Sequence, residues 1–225
     1  MLDVRNAADF QAAFGVSRET ADRIGRYVET LLAWQKSINL VAPGTLPDIW
    51  QRHIADSAQV FALAPSDWLK WVDLGSGGGF PGVIVALMAT DRADARVVLV
   101  ESDARKCAFL REVVRKTGLG ETLAVDILSG RIESPEIQAK VGHVDVVSAR
   151  ALAPLDGLLA LAAPFFGLKP LDSCQKGEML LRKSKPQGET GPSICSWWSV
   201  KPMFALVSLS LGTSDRLHYS VISYG

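Results

Sequence analysis

The stretch with the clearest potential for chemistry is DLGSGGGFPG at residues 73–82, which follows the apolar run WLKWV. Five of its ten residues are glycine. Glycine permits positive φ and allows a ligand to approach the backbone closely. A strand, a glycine-rich turn and a helix in this order form a nucleotide-type site, where backbone N–H groups and the helix N-terminus face the ligand.

The glycines fit two patterns, which favour different ligands. From Gly77 to Gly82 the sequence matches G-x-G-x-x-G, a weak signal when it stands alone. The other pattern, D-x-G-x-G, begins at Asp73 and puts Gly75 and Gly77 in the tight turn. It has Phe80 where a dinucleotide site has its third glycine. An acidic residue before the turn would repel a pyrophosphate but attract a cationic amino-acid group, which favours S-adenosylmethionine over NAD. The alternative role for Asp73 is to order the loop or cap a helix.

A second carboxylate follows the next strand pattern. Glu101 ends the apolar run VVLVE at 97–101, and a carboxylate in that place of a βαβ unit can accept hydrogen bonds from both ribose hydroxyls of a nucleoside. The same carboxylate suits NAD, so it does not separate the two cofactors. A solvated carboxylate at a strand end is the alternative interpretation.

Alternating strand and helix patterns surround these two motifs. Continuous apolar runs predict strands that are buried on both faces, and apolar residues at helical spacing predict the helices between them. Strands are predicted at 71–74, 97–101, 123–126 and 144–148, and helices at 81–90, 104–117 and 155–166. This order predicts an α/β fold with a mostly parallel sheet flanked by helices.

The two ends of the chain differ from this central pattern. Residues 1–64 are predicted to form a helical segment packed on the core, with one helix that Ser17 caps and a second over about 46–63. Residues 65–225 are predicted to form the α/β domain, within which the tail 165–225 is atypical. Apolar runs in the tail predict further strands at 179–181, 203–211 and 217–222.

The composition limits the function classes. The chain has 225 residues and a formal net charge of zero, so any contact with nucleic acid must come from a local basic patch. Three widely spaced cysteines give neither a disulfide framework nor a metal-binding spacing, which indicates a reducing compartment. No apolar run approaches the about 18 residues of a membrane span. We therefore expect a cytoplasmic protein without a membrane partner.

Several motifs occur together in a fixed order. DLGSGGGFPG is followed by VESDARKCAFL, SGRIE and VSARAL, and it is preceded by NLVAPG and WQRHIADS. Motifs in one order are far more specific than a glycine loop alone. Over roughly residues 20–166 the chain resembles the bacterial small-subunit ribosomal RNA guanine-N7 methyltransferase G family, also called glucose-inhibited division protein B.

The resemblance implies a Rossmann-like class I fold and S-adenosylmethionine-dependent methylation of N7 of one guanine in 16S rRNA of the small ribosomal subunit. The matching cofactor-binding positions are Gly75, Phe80, Glu101, Ile132, Glu133 and Arg150, to which the glycine pattern adds Asp73 and Gly77. Arg150 matches an arginine beside the cofactor and the target, and Arg105 matches a basic residue of the active-site rim. These two are the candidate catalytic residues. The alternative for Arg150 is a structural pairing with Asp145 or a helix end.

Guanine N7 carries a lone pair and no proton, so this reaction needs no general base. It requires N7 to be held in line with the methyl group while water is excluded. We expect no metal ion and a monomeric enzyme. His53 and Asp56 lie three residues apart on one predicted helix face, and a contact between helix and domain is preferred there over a role in ordering the loop or touching RNA.

Three alternatives stay open from the sequence. They are an S-adenosylmethionine-dependent methyltransferase with a non-RNA substrate, an NAD(P)-dependent oxidoreductase, and an RNA-binding module whose altered tail abolishes catalysis. The tail matters because the family's Leu-Lys-Gly-like strand end is not recognisable, although Arg182 or Lys183 stands near its place.

Overall fold

The computed structural model describes residues 3–150, 155–166, 204–211 and 217–224. The helices are α1 (Ala7–Phe14), α2 (Arg18–Gln35), α3 (Asp56–Leu63), α4 (Gly82–Met88), α5 (Ala104–Thr117), α6 (Pro135–Val141) and α7 (Leu155–Ala162). The strands are β1 (Lys70–Leu74), β2 (Arg96–Glu101), β3 (Ala124–Ser129), β4 (Val146–Arg150), β5 (Phe204–Leu211) and β6 (Leu217–Tyr224). Short 3₁₀ helices cover Pro43–Asp48, Leu119–Glu121 and Ala163–Phe166, and a π-helical segment covers Trp50–Ala55.

The strands form one sheet in the order β3-β2-β1-β4-β5-β6. Strands β1 to β4 are parallel, whereas β5 and β6 are antiparallel to their neighbours. The chain runs outward from β1 to β3 and then returns to β4 on the other side of β1. Ligands bind at such a reversal point, outside the carboxyl ends of the strands. The predicted α/β fold is confirmed. Two of the three predicted tail strands are present, and the run at 179–181 lies outside the described residues.

Local signals in the sequence explain where the longest helices begin and end. The Ser17 hydroxyl caps α2 by accepting from the Thr20 N–H at 3.1 Å. The Asp103 carboxylate caps α5 by accepting from the Arg105 N–H at 2.8 Å, and Gly118 ends that helix in the left-handed conformation. Helix α5 therefore has the bounds that the sequence predicts.

The helix predicted over 46–63 ends at Leu63 as expected, but the chain there is divided into a 3₁₀, a π-helical and an α-helical segment. Residues Pro43–Asp48 form a 3₁₀ helix, so a regular α-helix does not begin at 46. The π-helical segment follows, and α3 begins only at Asp56. Helix α6 was not predicted, although Pro135 at its start and Gly142 after its end are standard boundary signals.

The N-terminal helices share one apolar core with the sheet. Tyr27 and Leu31 of α2 are buried in the same cluster as Phe80, Phe109 and β1. A second apolar cluster consists of buried residues from α6, from α7 and from strands such as β4. The division into residues 1–64 and 65–225 stays a prediction. In the described part of the chain, no helix is long and apolar enough to cross a membrane.

A methyl group at position 82 should destabilise this fold, because α4 touches the sheet there. A Cβ on Gly82 would lie 2.5 Å from Leu99 Cδ2 and 2.7 Å from Asp73 Cβ. We expect Gly82→Ala to lower the free energy of unfolding in urea by about 1–3 kcal/mol through overpacking. The control is Gly25→Ala in α2, where an added Cβ meets nothing within 4 Å. Equal stability of the two variants would contradict the close packing at Gly82.

Candidate functional site

The glycine loop is fixed to the end of β2. The N–H groups of Gly75 and Ser76 both donate to the Val100 carbonyl, at 2.9 and 3.0 Å. The Gly79 N–H donates to the Ser76 carbonyl at 2.6 Å, which closes the turn before α4. Gly79 has φ +93°, and a Cβ there would meet Val83 at 2.6 Å, so only glycine fits this position without strain.

Asp73 lies beneath this loop and is completely buried. Its Oδ1 accepts from Ser148 Oγ at 2.7 Å, and Ser148 Oγ in turn accepts from Trp71 Nε1 at 2.8 Å. Its Oδ2 is buried against Gly82 but makes no hydrogen bond of regular geometry. Burial raises the pKa of Asp73 to about 6, against the lowering effect of hydrogen bonds from Ser148 and Ser76. This placement fits the loop-ordering role and does not direct the carboxylate toward a ligand.

Glu101 connects the carboxyl end of β2 to the glycine loop. Its Oε2 accepts from the Gly77 N–H at 2.8 Å, and its Oε1 accepts from the Asp103 N–H at the same distance. Ser102 Oγ is a third, more distant donor, 3.5 Å from Oε1. A carboxylate offers about four acceptor positions, so capacity for a ligand hydroxyl remains. Glu101 is therefore a structural part of the loop and an available acceptor at the same time.

A cavity of about 310 Å³ opens at the carboxyl ends of the four parallel strands. That volume is within the range of small-molecule sites, about 300–1,000 Å³. Its lining is Gly75, Gly77, Val100, Glu101, Ser102, Lys106, Gly130, Arg131, Ile132, Glu133 and Arg150. Most of the residues that the sequence predicted for a cofactor are brought together here. Asp73, Phe80 and Arg105 are not among the lining residues.

The cation that α5 presents to the cavity is Lys106, one residue from the predicted Arg105. Arg105 is exposed and lies 3.7 Å from the Asp103 carboxylate. Arg131 is a second basic residue of the lining that sequence reasoning missed. Both missed residues are adjacent in sequence to predicted ones, within SDARK and SGRIE. The motifs therefore located these parts of the cavity, but they did not show which side chain faces it.

Phe80 does not line the cavity, but its ring contacts the side chain of Arg150, which does. The Arg150 guanidinium carbon lies 5.4 Å from the centroid of the Phe80 ring, within the range of a cation–π contact. The His53 ring stacks on the same phenyl ring at 5.1 Å, and the Tyr27 ring meets it edge-on at 5.6 Å. Burial lowers the pKa of Arg150. Asp145, the alternative partner suggested for Arg150, instead accepts from the backbone N–H groups that begin β1.

The N-terminal segment contributes further groups next to Arg150. The Tyr27 hydroxyl donates to the Gly78 carbonyl at 2.5 Å and so holds the glycine loop from its outer side. His53 Nε2 is 2.7 Å from Thr45 Oγ1, and burial lowers the pKa of His53 to about 3, so its ring is neutral. Burial raises the pKa of Asp56 to about 6, while the charges of Arg150 and Arg52 lower it. These contacts fit the preferred interpretation of a helix–domain contact.

No cluster of three or more His, Cys, Asp or Glu side chains that could hold a metal ion occurs among the residues that the structure describes. The cavity does offer what a nucleoside with an amino-acid group requires. It combines a carboxylate for the ribose hydroxyls, glycine backbone for close approach, and the apolar surface of Ile132. The residues present therefore fit S-adenosylmethionine.

Comparison with known proteins gives a consistent result. Residues 20–188 match the protein family described as rRNA small subunit methyltransferase G. The protein named ribosomal RNA small subunit methyltransferase G from Parvibaculum lavamentivorans is 49% identical over 177 residues, 79% of this chain and 76% of that protein. Its namesake from Rhodospirillum centenum is 52% identical over 168 residues, 75% of this chain and 71% of that protein.

The similarity also reaches into the tail. The family match continues past Phe166, where the sequence motifs end. The protein of the same name from Nitrobacter hamburgensis is 43% identical over 201 residues, 88% of this chain and 72% of that protein. Similarity to the family is therefore more extensive than the motifs alone indicated.

Replacing the buried carboxylate should change how stability depends on pH. Since the pKa of Asp73 is about 6 in the fold and 3.8 ordinarily, the native state binds more protons between these values. The free energy of unfolding should thus fall as the pH rises from about 4 to 6, by about 3 kcal/mol from this residue. We expect Asp73→Asn to remove that part of the dependence in urea titrations.

The matched control is Asp67→Asn, because Asp67 is exposed. The pKa of Asp56 is also raised, but Asp56 is present in both variants and contributes equally to the pH dependence of their stability. An Asp73→Asn protein whose stability falls with pH as steeply as the control would show that the Asp73 carboxylate is not the titrating group.

Proposed function

The chain belongs to the rRNA small subunit methyltransferase G family, and we propose that it transfers the methyl group of S-adenosylmethionine to N7 of one guanine in 16S rRNA. The observation that carries the proposal is the cavity at the reversal point of the sheet, where Glu101, the glycine loop and Arg150 meet. A site of this kind holds a nucleoside across the carboxyl ends of the strands.

Each part of the cavity has a proposed part of the cofactor to hold. Glu101 accepts hydrogen bonds from the ribose hydroxyls, in addition to those from the loop. Gly75 and Gly77 allow the amino-acid portion to lie close to the backbone. Ile132 and Glu133, beyond the end of β3, border the adenine, for which Ile132 provides apolar contact.

Bound S-adenosylmethionine supplies a methyl group on a positively charged sulfur. The N7 lone pair would form the new bond to the methyl carbon as the carbon–sulfur bond breaks and its electrons return to sulfur. No proton moves, so the chain needs no general base. Its residues orient the base in line with the methyl group and exclude water from the cavity, and proximity of this kind accounts for a large part of the rate.

Arg150 is proposed to act on the base beside the reacting atom. The methylated ring gains positive charge, so a guanidinium directed at N7 would oppose the reaction. Donation to the neighbouring O6 avoids this conflict, and O6 is an acceptor that arginine commonly contacts. The Phe80 ring below the guanidinium fixes its position.

The RNA is proposed to approach over the basic residues at the rim. Lys106 and Arg131 line the cavity, and Arg105 is exposed on the first turn of α5. Contacts from such residues to phosphates position a nucleic acid without reading its sequence. We further propose that the protein works as a monomer in the cytoplasm, where its substrate is found, and that the reaction requires no metal.

The test is transfer of labelled methyl groups to small ribosomal subunits that lack the modification, with the label located by the masses of RNA fragments. We expect one labelled guanine. Arg150→Ala should lower kcat/KM by at least about 100-fold, because it removes the donor that is proposed to hold O6 and so to align N7 with the methyl group. Glu101→Gln should weaken cofactor binding by about 10-fold in calorimetry. The control is the exposed Arg18→Ala.

Two negative outcomes have different meanings. If the wild-type protein binds S-adenosylmethionine but does not label the subunits, its substrate is not this RNA. If it does not bind the cofactor at all, the assignment of the cavity is wrong.

A further inference from the structure

The carbonyl group of Gly78 in the glycine loop is held by a side chain of the N-terminal segment. The Tyr27 hydroxyl of α2 donates to this carbonyl at 2.5 Å, although the two residues are 51 positions apart in sequence. Tyr27 is completely buried, and burial raises the pKa of its hydroxyl well above the usual value, so the group keeps its proton. A buried tyrosine hydroxyl needs a hydrogen-bond partner, and here the loop provides it.

The backbone of the loop has little stiffness of its own. Gly75, Gly77 and Gly79 have φ of +70°, +53° and +93°, and Gly78 lies among them. Glycine loses more conformational freedom on folding than any other residue. The loop therefore depends on contacts with other parts of the chain to keep one conformation before a ligand binds.

Two neighbouring residues of the loop are held from different parts of the chain. The Gly77 N–H donates to Glu101 Oε2 of β2 at 2.8 Å, and the next residue accepts the hydrogen bond from Tyr27. Gly77 and Glu101 line the cavity, whereas Gly78 and Tyr27 lie outside its lining. Fixing Gly78 from outside limits how far Gly77 can move relative to Glu101, so the hydroxyl acts on the cavity through the backbone.

Ring contacts hold the Tyr27 side chain separately from its hydroxyl. The ring meets Phe80 edge-on with centroids 5.6 Å apart, and its centroid lies 6.5 Å from that of Phe109. A phenylalanine at position 27 can make the same ring contacts. Tyr27→Phe therefore removes the hydrogen bond to the loop and retains the packing of α2 on the core.

We infer that Tyr27 is a positioning residue that keeps the glycine loop in its ligand-binding conformation and thereby raises the affinity for S-adenosylmethionine; this inference rests on the proposed function. A loop that is fixed in advance loses less conformational freedom when a ligand binds, and such preorganisation increases affinity. The bound cofactor can itself hold the loop afterwards. The contribution of Tyr27 therefore falls on cofactor binding and not on the transfer step.

The experiment separates binding from turnover in Tyr27→Phe. We expect the dissociation constant for S-adenosylmethionine, measured by calorimetry, to rise about 5-fold, as for the loss of one hydrogen bond. The KM for the cofactor should rise with it, whereas kcat at saturating cofactor should change by less than about 2-fold. Binding is measured at a temperature where every variant is folded, because lower stability alone leaves the dissociation constant of the folded protein unchanged.

The matched control is Thr30→Val on the same helix. The buried Thr30 hydroxyl donates to the Arg26 carbonyl at 2.7 Å, so this variant also loses a hydrogen bond to a backbone carbonyl, but one within α2. It should bind S-adenosylmethionine as tightly as the wild-type protein. A folded Tyr27→Phe protein with the wild-type dissociation constant would overturn the inference, and so would equal weakening in both variants.

Hydrogen exchange in the wild-type protein decides the matter if Tyr27→Phe does not fold. The N–H groups of Gly77 and Gly79 are bonded to Glu101 and Ser76, so both should be protected from exchange without cofactor if the loop is preorganised. Exchange at the rate of an unprotected amide would overturn the inference.

Failure of the proposed function gives a different result. Absence of S-adenosylmethionine binding by the wild-type protein would refute the cofactor site itself. Equal binding by the wild-type protein and by Tyr27→Phe would refute only the role of Tyr27.

Discussion

The buried carboxylate of Asp73 is the constraint on which the rest of the site depends. It joins β1 to β4 through Ser148 and Trp71 at the point where the strand order reverses. It also excludes any side chain at Gly82, so α4 can begin directly against the sheet. Burial of this charge has a cost, as its raised pKa shows. In return, the same carboxylate holds together the pair of strands β1 and β4, the glycine loop and the start of α4.

The glycine loop is held from two further directions, and this links the cavity to the N-terminal helices. Glu101 binds the Gly77 N–H on the cavity side, and the Tyr27 hydroxyl binds the Gly78 carbonyl on the other side. Phe80 then contacts Tyr27, His53 and Arg150. The N-terminal helices therefore contribute to the position of Arg150 although none of their residues lines the cavity.

Much of the fold could be predicted because the responsible signals are local. The cap at Asp103 and the glycine after α5 determine that helix, and continuous apolar runs identify the parallel strands. The motifs also indicated most residues of the cavity lining. The direction of individual side chains could not be predicted, since it depends on the rotation of each element. Lys106 faces the cavity where Arg105 was expected, and Phe80 faces the core. The 3₁₀ and π-helical segments that precede α3 are a further difference from the predicted regular helix.

His53 is kept neutral mainly by burial, and the charges of Arg150 and Arg52 act in the same direction. Methylation at N7, as proposed, would add a positive charge to a base held beside Arg150. A protonated His53 on the Phe80 ring would add a third cation, and burial together with those two arginines lowers its pKa to about 3. Asp56 is the carboxylate on the same side, and its charge opposes those of the arginines. The groups behind the cavity thus combine two guanidinium groups, one neutral ring and one carboxylate, and the carboxylate partly offsets the positive charge near Arg150.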